Sequence, residues 1–163
     1  MPMLHGCLII RCLVMQIELQ NKIFFAEVER QLAEGHTVTI KVKGHSMPPL
    51  LRDGRDSVVV RAVRSEDIKL GQLMFFRYRG AWVMHRLCRI DGECLTFAGD
   101  GNYRKQESVL RSDVVATVIA VRRKDGRVVS CDSRRWHRAS TLWLALHPFI
   151  RRVILSIIHR LKL

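Results

Sequence analysis

Long apolar runs are absent from the 163-residue chain, and no segment reads as a membrane-spanning helix. The stretch from Met3 to Ile17 is apolar, but Arg11 interrupts it, and about 20 consecutive apolar residues are needed to cross a bilayer. No small-residue cleavage site follows it, so it is not typical of a signal peptide. Residues 1–20 therefore form an apolar N-terminal extension ahead of the predicted domain, and we expect translation to begin within it, at Met15, so that residues 1–14 are not part of the protein.

Paired cysteine motifs are also absent. The five cysteines are Cys7, Cys12, Cys88, Cys94 and Cys131. Their number is odd, their spacing is irregular, and none forms the C-x-x-C pair that is typical of zinc sites and of redox centres. The sequence predicts reduced thiols, and it gives no sign of a metal site or of a cofactor.

Acidic residues are missing from the C-terminal tail. The chain holds 28 Lys and Arg against 15 Asp and Glu, and residues 134–163 hold seven of the basic residues and none of the acidic ones. Apolar residues recur there at helical spacing, which predicts a basic amphipathic helix that Pro148 can kink. Such a helix either packs on the fold with solvated charges or lies in a membrane interface with its arginines at the headgroups. We expect peripheral membrane association through this helix.

The sequence between the N-terminal extension and the C-terminal tail predicts short strands. After one helix that begins near Asn21 and ends at Gly35, short β-branched stretches alternate with Gly, Asp and Pro turns as far as residue 133. Strands that recur at this spacing, with little helix between them, indicate an antiparallel sheet that curls on itself. Residues 21–133 are therefore predicted to form a mainly β domain, a curled sheet or partly open barrel.

Three residues of this domain belong to types that take part in nucleophilic catalysis. Ser46 lies in a proline-braced loop at residues 44–49, His85 lies in a strand between apolar neighbours, and Asp100 lies in the turn at residues 99–102. A hydroxyl becomes a nucleophile when a histidine accepts its proton and an acidic group orients that histidine. Each residue taken alone is more often an ordinary turn or strand residue.

The order of the motifs is more specific than any one of them. Along the chain the sequence shows Gly-x-Ser-Met-x-Pro at 44–49, Leu-x-x-Gly at 51–54, Ile-x-x-Gly at 68–71, His-Arg at 85–86 and Gly-Asp-x-Asn at 99–102. This set resembles the signal peptidase family, in the branch of the endoplasmic reticulum, archaea and some bacteria that pairs serine with histidine. The resemblance covers about residues 37–121 and implies the sheet that signal peptidases share with self-cleaving repressors.

The resemblance implies a role for each matching position. Ser46 corresponds to the nucleophile, with its own backbone N–H as an oxyanion donor, and His85 to the general base, so we expect the two side chains within hydrogen-bond reach. Asp100 is the favoured residue to orient His85, with Glu107 as the alternative. The implied activity is that of a serine endopeptidase that removes a leader or signal segment from a peptide or preprotein.

Two other functions remain open at this point. A self-cleaving repressor would share the sheet, but it needs a lysine in place of His85 and a DNA-binding unit ahead of the β-domain. A non-enzymatic basic protein would use runs such as Arg122-Arg123-Lys124 to bind nucleic acid or a membrane surface. Aromatic residues do not alternate with these cations on any strand, so we expect no nucleic-acid partner.

Overall fold

The structure is a computed structural model that describes residues 23–160. The expected N-terminal extension and the expected start at Met15 lie outside the described residues. In chain order the elements are helix α1 (23–33), β1 (Val38–Lys41), β2 (Ser57–Ala62), β3 (Leu73–Tyr78), β4 (Ala81–Asp91), β5 (Cys94–Gly99), β6 (Asn102–Leu110), β7 (Val114–Arg122), β8 (Val128–Ser130), α2 (Arg134–Ala145) and α3 (Pro148–Arg160).

The eight strands form one antiparallel sheet that curls into a half-barrel, which confirms the predicted mainly β fold. The order across the sheet is β1-β2-β7-β3-β4-β5-β6, and β8 pairs with the end of β7. Strand β7 holds the sheet together, because β2 pairs along one of its sides while β3 and β8 share the other. Strands β1 and β6 are the two ends of this order.

The pleat of β4 divides the apolar core into two clusters. Trp82 and Met84 point to one face and pack against the cluster that contains Met47, while Val83 and Leu87 point to the other face and belong to a second cluster. Because successive side chains of a strand alternate between the faces, His85 lies on the face of Val83 and Leu87, as the sequence predicted. Arg86 points to the opposite face.

Strand β6 was not predicted, because most of its residues are polar. Residues 103–107 read as a polar segment, yet they belong to a nine-residue strand at the edge of the sheet. Its outward side chains are exposed, and only Glu107 and Val109 are buried. Glu107 and Val109 are two positions apart, so they lie on the same face of the strand, and this face is the buried one. The carboxylate of Glu107 is therefore directed into the fold.

The single C-terminal helix expected at residues 134–163 is divided into α2 and α3, which are bent by 112° relative to each other. The break lies just before Pro148, which begins α3. Proline has no backbone N–H, so it is tolerated in the first turn of a helix and not in its interior. The kink that Pro148 predicted is therefore a complete break.

Candidate active site

The loop that carries Ser46 is held at both of its ends. The backbone N–H of Gly44 donates to Asp53 Oδ2 at 3.0 Å, and Gly44 adopts a φ of +87°, which favours glycine. At the other end the side chains of Met47 and Leu51 are buried, and Leu51 N–H donates to the Met47 carbonyl at 3.2 Å. Ser46 itself is half-buried between these anchors.

This loop packs against the turn at residues 99–102 at unusually short range. Gly101 N–H donates to the Ser46 carbonyl at 2.8 Å. A Cβ atom on Gly99 would lie 2.4 Å from the same oxygen, and one on Gly101 would lie 3.0 Å from both the His45 carbonyl and Pro48 Cδ. Position 99 therefore requires glycine, because the backbone of the serine loop occupies the space of a side chain, whereas a side chain at position 101 would fit only if its neighbours moved slightly.

Gly99 also brings the serine loop next to His85. The Cβ position of Gly99 lies 3.1 Å from His85 Nε2, as well as 2.4 Å from the Ser46 carbonyl oxygen. These two atoms are therefore separated by no more than the sum of those distances. Among residues 23–160, the side-chain hydrogen bond of His85 goes to Glu107, and the expected bond from Ser46 Oγ to the imidazole is not formed. Catalytic hydrogen bonds are often long before substrate binds.

The carboxylate in contact with His85 is that of Glu107, not that of Asp100. Glu107 Oε2 lies 2.8 Å from His85 Nδ1, and both side chains are buried. A carboxylate can only accept, so His85 Nδ1 donates this hydrogen bond and Nε2 is the ring nitrogen that is left to act as a base. Lys105 Nζ lies 3.8 Å from the other oxygen of Glu107. The alternative that the sequence left open is thus the residue in contact with His85.

The expectation that Asp100 contacts His85 is wrong. Its carboxylate accepts two hydrogen bonds from Arg86, from Nε at 2.8 Å and from Nη2 at 2.6 Å. Arg86 also donates to the Gly71 carbonyl at 2.6 Å and reaches Ser140 Oγ of α2 at 3.5 Å. A buried guanidinium needs an anionic partner, and Asp100 is that partner, so it fixes the turn beneath the serine loop.

The pairing of Arg86 was missed although the sequence carried a signal for it. Arg86 directly follows His85 in a strand, so it had to point to the opposite face, which is also apolar. An arginine on a buried face predicts a carboxylate nearby. Asp100 is the carboxylate in the turn that leaves the adjacent strand β5.

An apolar cavity of about 540 Å³ opens beside Ser46. One wall is β1 and the residues that follow it, and the opposite wall is formed by β3 and β4. Helix α1 contributes Phe24 and Phe25, and the ring of Phe25 stacks on Trp82 with centroids 4.6 Å apart. Strand β1 ends the sheet order, so backbone donors and acceptors of one of its sides have no strand partner among residues 23–160.

A second, cationic cavity of about 1130 Å³ lies on the other side of the serine loop. His45, Pro48 and Arg52 form one wall, and Arg152 and His159 of α3 contribute to the other. The loop of Ser46 therefore separates an apolar space from a basic one. Within the described residues, no group of three or more His, Cys, Asp or Glu side chains is arranged to hold a metal ion.

Comparison with known proteins adds no family assignment. No family model matches the chain, and no curated protein matches it.

Proposed function

We propose that this chain is a serine endopeptidase resembling the signal peptidases, with Ser46 as nucleophile and His85 as general base. The observation that carries the proposal is the alignment of Glu107, His85 and the Ser46 loop. Glu107 binds Nδ1 at 2.8 Å, and Nε2 faces the backbone of the loop across Gly99. A buried acid, an imidazole and a serine in this order match the logic of a catalytic triad.

The chemistry of such a triad assigns each atom a step. Nε2 of His85 accepts the proton of Ser46 Oγ as the oxygen bonds to the scissile carbonyl carbon, and the imidazolium then gives that proton to the leaving amine as the C–N bond breaks. Water next attacks the acyl ester by the same route and frees the serine. Glu107 stabilises the imidazolium in both steps.

The backbone N–H of Ser46 is available as an oxyanion donor. Among residues 23–160 it donates to no backbone or side-chain acceptor, whereas the nearby Gly44 N–H is bound to Asp53. Donors that are already in place where negative charge develops contribute about 10²–10³ to the rate of acyl transfer. The buried Met47 side chain fixes the loop on the side that follows the serine.

The open edge of β1 and the apolar cavity support a peptide as substrate. An extended peptide can add to a free strand edge through its main chain and direct alternate side chains into pockets. The cavity beside Ser46 is lined by Ile40, Val42, Phe75 and Met84, which fit an apolar side chain. A leader or signal segment with apolar residues before the cleaved bond has this chemistry.

An activity-based probe tests the proposal. Wild-type protein should react with a fluorophosphonate or a peptide aldehyde, and Ser46→Ala should not. Ser112→Ala is the matched control, because Ser112 is an exposed serine in the short 3-10 turn between β6 and β7, and it should react like the wild type. Labelling that persists in Ser46→Ala would refute the assignment.

A different result would favour the non-enzymatic alternative. If the probe fails to react and the protein binds DNA tightly with a steep dependence on salt, the basic residues serve nucleic acid. We expect weak DNA binding that is the same for wild type and for Ser46→Ala.

A further inference from the structure

The C-terminal helices are fixed on the β-domain by one face only. Helix α2 buries Trp136, Ser140 and Trp143, which are spaced so that they share a side of the helix. Helix α3 is held by Arg151, whose guanidinium lies 5.4 Å from the centroid of the Tyr103 ring and 5.7 Å from that of Trp143. These contacts determine which face of each helix is directed away from the protein.

The outward face of α3 is apolar. Phe149, Ile150, Val153 and Ile157 are between 42% and 68% exposed, and their spacing places them on one side of a helix. None of the residues of α3 is buried. Single exposed apolar residues are common in proteins, but a continuous apolar stripe marks a site of interaction.

The charged residues within the sequence of α2 and α3 have a single sign. From residue 133 to residue 160 the chain contains six arginines and no acidic residue. An excess of positive charge beside an apolar stripe fits an anionic lipid surface better than it fits a protein partner of mixed charge. The lipid surface offers acyl chains to the stripe and phosphates to the cations.

Further unmatched positive charge lies where α3 meets the serine loop. Arg52 Nε is shielded from solvent and has no hydrogen-bond partner among the described residues. Burial lowers the pKa of the Arg52 guanidinium, and Arg55 nearby adds to the effect. Lys124 and Arg152 line the same cavity, whose carboxylate, Asp53, is already bound to Gly44 N–H. The cavity is therefore suited to an anionic headgroup.

We propose that α3 lies in the surface of an anionic lipid bilayer, with its apolar stripe in the acyl layer and the cations beside it at the headgroups. Its 13 residues cover about 20 Å, whereas the hydrocarbon core is about 30 Å thick, so the helix lies on the bilayer. In residues 23–160 no single helix is long and apolar enough to cross a membrane, and α2 and α3 reach that length only together, with their 112° bend. The mode of attachment is interfacial.

This attachment places the serine loop at the bilayer surface, because His45 and Pro48 of that loop line one cavity with α3. Lipid binding does not rest on the peptidase activity. Ser46→Ala should bind vesicles as the wild type does, so failure of either proposal can be distinguished from failure of the other.

Co-sedimentation of the full chain with vesicles tests the inference. Wild-type protein should bind vesicles of equal parts phosphatidylglycerol and phosphatidylcholine, and it should bind pure phosphatidylcholine at least about tenfold less, since each cation near an anionic surface contributes about 1 kcal/mol. The variant Phe149→Ser/Val153→Ser/Ile157→Ser should lose at least about tenfold in affinity for the mixed vesicles. These side chains are exposed, so its melting temperature should stay within a few degrees.

The matched control removes exposed apolar groups elsewhere. Leu110 and Val128 are each 56% exposed on the sheet, and Leu110→Ser/Val128→Ser should bind vesicles like the wild type. If the triple variant melts early, Ile157→Glu alone should reduce binding to anionic vesicles, because it adds a like charge to the contact. Equal vesicle binding by wild type and Ile157→Glu would overturn the inference. A second result would also overturn it: the wild type forms a dimer in light scattering and does not bind vesicles, and the triple variant is a monomer. The stripe would then pair two copies of the chain.

Discussion

Glu107 and His85 are in contact although a whole strand separates them in the sheet. His85 belongs to β4 and Glu107 to β6, and β5 runs between them. Their side chains meet at 2.8 Å across β5, and the Cβ position of Gly99, at the end of that strand, lies 3.1 Å from His85 Nε2. The contact thus joins residues that are 22 positions apart in sequence and lie in strands that are not neighbours in the sheet.

Replacing His85 should abolish catalysis. In His85→Ala we expect peptidase turnover to fall by about 10⁴-fold or more, because members of one catalytic unit act together. His85→Lys should be equally inactive, since a lysine acts as base near neutral pH only when its pKa is lowered by desolvation. Turnover of a fluorogenic peptide measures both. His36→Ala, which changes an exposed histidine, should retain wild-type rates.

Glu107→Gln and Asp100→Asn should fail in different ways. Glu107→Gln keeps a side chain of the same shape but no longer stabilises the imidazolium, so kcat should fall by about 10²–10⁴ with little loss of stability. Asp100→Asn leaves the buried guanidinium of Arg86 without its anion, which should cost about 3–5 kcal/mol in the free energy of unfolding. Urea unfolding and kcat, measured for both variants, separate the roles. A stable but inactive Asp100→Asn would restore Asp100 as the orienting acid.

Gly99→Ala should lower kcat by more than its loss of stability can explain. Its Cβ would lie 2.4 Å from the Ser46 carbonyl oxygen, so the serine loop must move, and a displacement of about 1 Å at a reacting group costs about 10² in rate. Gly92→Ala is the control, because no atom lies within 4 Å of its Cβ position although its φ is +57°. It should lose about 1 kcal/mol of stability and keep its kcat. Equal kcat values for the two variants would contradict the packing argument.

Stability should fall at high pH because of Cys131. Burial raises the pKa of this thiol to about 12 from an ordinary value near 9. Below pH 9 the thiol is protonated in both states. Above it the unfolded chain releases a proton that the folded protein retains, so the free energy of unfolding decreases as the pH rises toward 12, by up to about 4 kcal/mol.

Two cysteine variants isolate this effect. Cys131→Ala should show a smaller loss of stability between pH 8 and pH 11 than the wild type does in urea unfolding under reducing conditions. Cys94 is exposed, and Cys94→Ala should follow the wild-type curve. An unchanged pH dependence in Cys131→Ala would mean that other groups cause the loss.

The sequence predicted the sheet well where apolar and polar residues alternate between clear turns. Strands β2, β3, β4 and β7 are rich in β-branched or aromatic residues, and their bounds lie within a few residues of the prediction. Strand β6 was missed because its exposed side carries Arg and Lys, and a strand at the edge of a sheet needs only one apolar face.

The error at the candidate site has the same origin. Without β6 there is no reason to direct Glu107 toward His85, whereas Asp100 lies in the turn that follows the strand next to that of His85, which is why the sequence favours it. Strand register cannot be derived from local propensity, and a shift of one residue would reverse every side chain. The contact between the loop of Ser46 and Gly99 depends on that register as well. The loop of Ser46 and the strand of His85 could be predicted from the sequence. The acid in contact with His85 could not.

Among residues 23–160 no strand pairs with the outer side of β1, and this free edge affects the solubility of the protein. A free strand edge can pair with the same edge of another molecule, which is a common route to aggregation. Lys41 closes β1 and Lys43 follows it, and both are exposed. Two copies that approached edge to edge would bring these like charges together. An extended peptide with no cations at the matching positions would meet no such repulsion, so the two lysines oppose self-association while the edge stays open to other chains.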